Sequence, residues 1–233
     1  MPESLSFLQA IADLLSEFKD LLVLGTWQTL YVTFLATSIA YVLGTPLGIL
    51  VVVTAPGSIA PNRPVHEVLG GIINIGRSIP FIILLVALIP FTRLVVGTSI
   101  GPNATIVPLT IAATPFVARM IEQSLIEVEN GLIEMAQSMG ATSRQIIFKV
   151  LLPESLPSII RGISITIISL VGYYAMAGAV GGGGLGDLAI RYGYYRYKSD
   201  VMFVTIVLLV IIVEVIQLLG NGAAKRMDKR NIR

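Results

Sequence analysis

Residues 134–159 read EMAQSMGATSRQIIFKVLLPESLPSI, the most polar long stretch of a 233-residue chain. The rest of the chain is oily. Overall it is 55% hydrophobic and only 13% charged, where an ordinary globular domain carries about 25% charged residues. The polar stretch has its own punctuation. Asn130 is placed to cap a short helix from Gly131, with Glu134 in its first turns, where the helix dipole favours a carboxylate. Leu132, Met135, Ala136 and Met139 then form an apolar stripe of adaptable surface. Gly140 ends that helix, and Thr142-Ser-Arg-Gln145 has the form of a capping box that opens a second one. Ile146, Ile147, Val150 and Leu151 supply the buried face of the second helix, and Pro153 and Pro157 follow. The expectation is two short helices around a small-residue elbow, Gly140-Ala141.

Outward from this segment the charges thin out. No Asp, Glu, Lys, Arg or His occurs from Leu21 to Asn62, from Leu94 to Ala118 or from Gly162 to Gly186, and of these residue types Val201 to Ala224 holds only Glu214. Crossing a bilayer takes roughly 20 apolar residues. Ser78 to Thr92 is a shorter gap that can borrow the apolar Val68–Gly76 run. The reading is an all-α polytopic membrane protein with five spans, at 21–54, 69–92, 103–120, 160–181 and 201–222. Gly44-Thr45-Pro46 reads as a kink within the first span. These spans make a single transmembrane domain over 21–224, with the two short helices at 130–152 and a basic tail at 225–233. Residues 1–20 place Leu5, Leu8, Ile11, Leu15 and Phe18 at helical spacing. That pattern fits an amphipathic interfacial helix and a terminal extension equally well.

Charge orients the spans. With the tail residues Lys225, Arg226, Lys229, Arg230 and Arg233 inside, Arg119, Arg144, Lys149, Arg161, Arg63 and Arg77 fall on the same side. That is eleven of the 16 basic residues, so the positive-inside rule favours an N-terminus outside and a C-terminus in the cytoplasm. Residues 191–198 run against the trend, and their tyrosines suit an interfacial belt.

Chemistry is sparse. There is no cysteine, so disulfides and thiolate metal sites are excluded. Gly181-Gly-Gly-Gly-Leu-Gly186 satisfies G-x-G-x-x-G in form only, because a membrane span precedes it where a dinucleotide site needs a strand. A flexible glycine hinge is the better reading. No phosphate-binding loop of the G-x-x-x-x-G-K-[ST] type exists, so the chain does not bind ATP itself. The single histidine, His66, reads as a solvated loop residue beside Glu67. Glu214 is the one acid well inside a span, explained equally by pairing, snorkelling or a proton relay.

The order Glu134-Met135-Ala136, Gly140, then Val150-Leu151-Leu152-Pro153 resembles the cytoplasmic coupling motif of ABC-importer permeases, with Met135 and Val150 as mild departures. The blocks Ile75–Val86, Ile89–Gly101, Ile106–Thr110, Leu170–Gly181 and Gly183–Gly186 are similar to those of the methionine-importer branch, and the similarity runs from about Gly25 to the last span. The resemblance implies a type I importer permease. Glu134, Met135, Ala136, Met139, Gly140, Ala141 and Thr142 would dock on a separate ATPase, which binds the ATP and magnesium. Five spans are few to enclose a path, so a homodimer with the path on its two-fold axis is expected. An extracytoplasmic binding protein would deliver methionine to outer loops including 93–102 and 191–199, in the inner membrane of a bacterium. An apolar cargo needs a passage without fixed charge. On that argument and the resemblance, Met176 is the expected gate, surrounded by Gly172, Tyr173, Tyr174 and Ala177. The alternatives are the same architecture with another small amino acid as cargo, or an ion-coupled secondary transporter, for which inverted repeats and paired intramembrane charges are missing. No nucleic-acid partner is implied.

Overall fold

The computed structural model describes residues 2–228, with side chains from Glu17 onward. The expected stripe at Leu5, Leu8, Ile11 and Leu15, and the tail residues Lys229, Arg230 and Arg233, lie outside the described residues. Ten α-helices carry the described chain, with no strand among them: α1 (Pro2–Thr54), α2 (Arg63–Ser78), α3 (Phe81–Ala87), α4 (Ile89–Val96), α5 (Pro102–Ile126), α6 (Asn130–Ser138), α7 (Ser143–Ile146), α8 (Leu152–Ala177), α9 (Gly184–Leu188) and α10 (Ser199–Met227). Among the described residues, four helical runs are long and apolar enough to cross a membrane: Glu17–Thr54, Pro102–Ile126, Ser143–Val180 and Ser199–Met227.

A fifth crossing requires α2 and α3 to act together, and they meet at a 96° bend. The segment 69–92, expected as one span, is thus divided among α2, α3 and α4. The prolines explain the division. A residue before proline is pushed out of helical geometry, and Ile79 before Pro80 is extended at φ −82°, ψ 121°. Pro90 then sits in the first turn of α4, where its missing N–H is harmless. α4 stops at Gly97, whose φ of +84° takes the left-handed conformation that glycine adopts without strain.

The chain forms two compact units. One takes the chain up to Leu35, Phe81–Leu109 and Ser169–Val215; the other takes Ala36–Pro80, Thr110–Ile168 and everything from Ile216. In the second unit α1 lies against α5 along a seam of glycines. A Cβ on Gly48 would stand 2.5 Å from the Ala118 carbonyl oxygen, and one on Gly44 would stand 2.8 Å from that of Thr114. Small residues one turn apart let helix backbones approach this closely. The Gly44-Thr45-Pro46 step thus also serves as a contact surface, and α1 stays helical through Pro46. Val51, Ile73 and Ala118 close the core where α2 joins the seam. His66 also differs from its expected solvated state: half-buried on α2, its Nδ1 donates to the Val51 carbonyl at 2.9 Å.

In the first unit the glycine run after α8 is held rather than loose. Tyr174 Oη donates to the Gly182 carbonyl at 2.9 Å. Gln28 Oε1 accepts from the Gly184 N–H at 2.9 Å, and Thr29 Oγ1 from the Leu185 N–H at 3.1 Å. These α1 side chains satisfy the orphan amides at the start of α9. Gly181, Gly183 and Gly184 all take φ near +80°, and a Cβ on Gly184 would stand 2.5 Å from the Tyr174 ring. The expected flexible hinge is a pinned turn.

Candidate functional site

α6 begins at Asn130, with Glu129 as its cap residue and no capping side chain, so Asn130 is helical rather than the cap expected from sequence. Its far end is closed by backbone alone. The Gly140 N–H donates to the Gln137 carbonyl at 2.9 Å and the Ala141 N–H to the Ala136 carbonyl at 3.0 Å, the paired bonds of a Schellman stop. Gly140 takes φ +75°, which that stop requires. Two residues later Thr142 and Gln145 form the reciprocal capping box that opens α7.

α7 does not remain a separate short helix. It passes through a π-turn at Ile147–Leu151 into α8, so Ser143–Val180 is one helical run. Proline again supplies the reason. Pro153 cannot donate and its ring crowds the carbonyl of Lys149, and widening the preceding turn relieves that clash.

The elbow is anchored beneath and open above. Ala136, Ile146 and Leu151 are buried, and Ser143 Oγ donates to the Ile59 carbonyl at 3.4 Å. Met135 and Met139 stand out at 57% and 81% exposure, unusual for thioethers. Together with Leu132, Ala141, Lys149 and Val150 they line a cleft of about 490 Å³. Glu134 is exposed and faces a second cavity of about 420 Å³ shared with the 55–59 loop. The arrangement offers a soft apolar surface on a rigid base.

The expected gate residues lie on α8 in the other unit. Gly172 and Met176 are exposed on one face. Tyr173, half-buried beside them, stacks on the Phe81 ring with centroids 4.9 Å apart. Tyr174 and Ala177 are fully buried and cannot line a passage on that face; Tyr174 instead pins the glycine turn. Glu214 is exposed on α10.

A polar cluster escaped sequence reasoning. On α5, Arg119 Nη1 donates to both Glu122 oxygens at 2.7 and 2.8 Å, and Nη2 reaches Asn74 Oδ1 on α2 at 2.6 Å. Glu122 is only 8% exposed. Its signal was an acid three residues beyond an arginine at the end of an apolar run, hidden because Arg119 was read as marking the end of the span. No group of residues suited to holding a metal ion occurs among the described residues.

Known proteins match this architecture over most of its length. A profile described as binding-protein-dependent transport system inner membrane component matches residues 44–233. The Vibrio cholerae protein named probable D-methionine transport system permease protein MetI is 54% identical over 91% of this chain and 94% of its own length. The Bacillus subtilis methionine import system permease protein MetP is 48% identical over 88% of this chain and 93% of its own. A chain of the MetNI methionine ABC transporter, solved in inward-facing conformations, superposes with a TM-score of 0.90 at 51% identity, covering 91% of this chain and 99% of that one. The all-helical fold is thus that of type I importer permeases. With a profile matched from Gly44 onward and relatives alike over nine-tenths of their length, the chain belongs to the family of binding-protein-dependent transport system inner membrane components.

Proposed function

We propose that the chain is the membrane-spanning subunit of a methionine ABC importer, working as a homodimer with a separate ATPase and an extracytoplasmic binding protein. The observation that carries this reading is the elbow of α6 and α7. A Schellman stop and a capping box set Gly140 between two anchored helices and leave Met135 and Met139 bare. Such a surface would be covered by the ATPase, with ATP and magnesium held on that partner. ATP binding would draw the two ATPases together and swing the elbows, and hydrolysis would reset them. Methionine as cargo rests on the names of the relatives and of the matched transporter.

In this reading the chain lies in the bacterial cytoplasmic membrane with five crossings, α2 and α3 together making one. The N-terminus is outside, and the elbow and C-terminus are in the cytoplasm. The loops at 93–102 and 191–199 receive the binding protein, and the exposed α8 face bearing Gly172 and Met176 borders the path. Liposomes holding the permease, its ATPase and its binding protein should accumulate labelled methionine only with internal ATP and magnesium. A panel of other amino acids decides the cargo: preferential uptake of another small amino acid would overturn methionine and keep the importer.

A further inference from the structure

α6 stands as a ridge in the second unit, with a cleft on each side. The face bearing Met135 and Met139 lines the cleft of about 490 Å³ at the elbow. The opposite face, with Ile133, Glu134 and Gln137, lines the groove of about 420 Å³ whose far wall is the 55–59 loop. Ile59, Ile133 and Ile126 offer apolar surface in that groove, and Ile126 is 65% exposed. Asn130, Glu134 and Gln137 give it an exposed polar rim. An apolar centre inside a polar rim is the make-up of a protein–protein contact.

The far wall is built to hold its shape. Ala55-Pro56-Gly57-Ser58 has proline second and glycine third, at φ +78°, and the Ser58 N–H donates to the Ala55 carbonyl at 3.0 Å. That is the form of a type II turn. The Ala60 N–H donates to the Val53 carbonyl at 3.1 Å and the Asn62 N–H to that of Thr54 at 2.9 Å, folding the loop back onto the end of α1. Ser143 Oγ ties Ile59 to the start of α7. Loop and elbow thus make one stiff frame around α6, and a preformed frame loses little entropy when a partner fills it.

Size points to one partner on both sides of the ridge. The elbow residues from Glu134 to Thr142 are far fewer than the about 20–30 that a stable interface places on each side. A partner that grips α6 must also enter the groove beyond it. We propose that the ATPase covering the elbow fills this groove as well, with an apolar side chain against Ile59, Ile126 and Ile133, a donor facing Glu134, and a contact on the turn at Pro56. The proposal rests on the reading of the chain as an importer permease with a separate ATPase. It gives ATPase movement a second point of application. The loop joins α1 to α2, and both pack against α5, through Gly44, Gly48 and the core of Val51, Ile73 and Ala118.

The test uses the permease reconstituted with its ATPase. The chain has no cysteine, so one substitution carries one label and the natural chain gives the background. Ser58→Cys and Met139→Cys, each labelled with benzophenone maleimide, joined to the ATPase and irradiated, should both yield an adduct with the ATPase. Pro56→Glu, which sets a charge on the exposed lip, should weaken ATPase binding at least about tenfold. An ATPase adduct from Met139→Cys with only lipid adducts from Ser58→Cys overturns the second contact and leaves the proposed function standing. A Ser58→Cys adduct joining two permease copies makes the groove part of the homodimer and overturns it too. So does unchanged ATPase affinity in Pro56→Glu. If neither labelled position reaches the ATPase, the second contact and the elbow reading both fall.

Discussion

At Gly140 the demand on the residue is conformational, not steric. Its φ is +75°, yet a Cβ there would meet nothing within 4 Å. An alanine would pay only the left-handed backbone cost, about 1–2 kcal/mol. Glutamate adds charge and bulk on the open side of the elbow. Gly140→Glu should leave far-UV circular dichroism unchanged and lower the detergent melting temperature by only a few degrees, the backbone cost alone, while ATP-dependent methionine uptake falls more than tenfold, and normal uptake would refute docking at the elbow. Arg119 and Glu122 call for a different experiment. Arg119 is half-buried, so removing Glu122 leaves its charge only partly solvated, whereas replacing both with apolar residues can be nearly neutral. Glu122→Leu should destabilise the protein by about 1–2 kcal/mol, read from unfolding in mixed micelles, and Arg119→Met with Glu122→Leu should recover much of that loss.

Between elements, glycines of identical chemistry should respond with opposite sign. Gly48 is pressed against the Ala118 carbonyl across the α1–α5 seam, and Gly70 and Gly71 in α2 have nothing within 4 Å. Gly48→Ala should lower thermal stability in detergent by an amount equivalent to about 1–3 kcal/mol, the usual cost of overpacking. Gly71→Ala should raise it by about 0.5–1 kcal/mol, the helix-interior advantage of alanine. The sequence could not separate these positions, because the seam's partner lies some seventy residues away and only the fold brings it near. Local signals fared better. The Thr142–Gln145 box and the Gly140 stop are written within a few residues, and both form as their spacing implies. The break at Pro80 is equally local, and reading 69–92 as one span by apolar length alone passed over it. Asn130 shows the reverse error: a favoured cap residue was given the role because Glu129, which holds it through backbone geometry alone, carries no cap signal.

For the whole molecule, the family and the four long helices were legible because hydrophobic length and the coupling motif are linear features. The pathway was not, since which side of α8 is covered depends on neighbours the sequence does not name. Of the five residues expected there, Gly172 and Met176 are exposed, Tyr173 is at the margin, and Tyr174 and Ala177 are packed away. If Met176 seals a path on a two-fold axis, Met176→Gly should raise passive methionine leak in liposomes lacking ATP. Tyr174→Phe should instead lower stability by about 1 kcal/mol, through loss of its bond to Gly182, without a leak. Leak that is the same in the two variants would remove Met176 from the gate.

The pinned glycine turn also sets a schedule. Gln28 and Thr29 cap amides that lie 156 residues further along the chain. At synthesis rates of about 5–20 residues per second, α1 leaves the ribosome roughly 8–30 seconds before those amides exist. Through that interval the Gln28 side chain waits for a partner in a helix that has already inserted. A ribosome stalled before α9 has emerged should therefore leave a membrane intermediate that proteases of the bilayer can recognise, and one stalled only after α9 has cleared the ribosome should not.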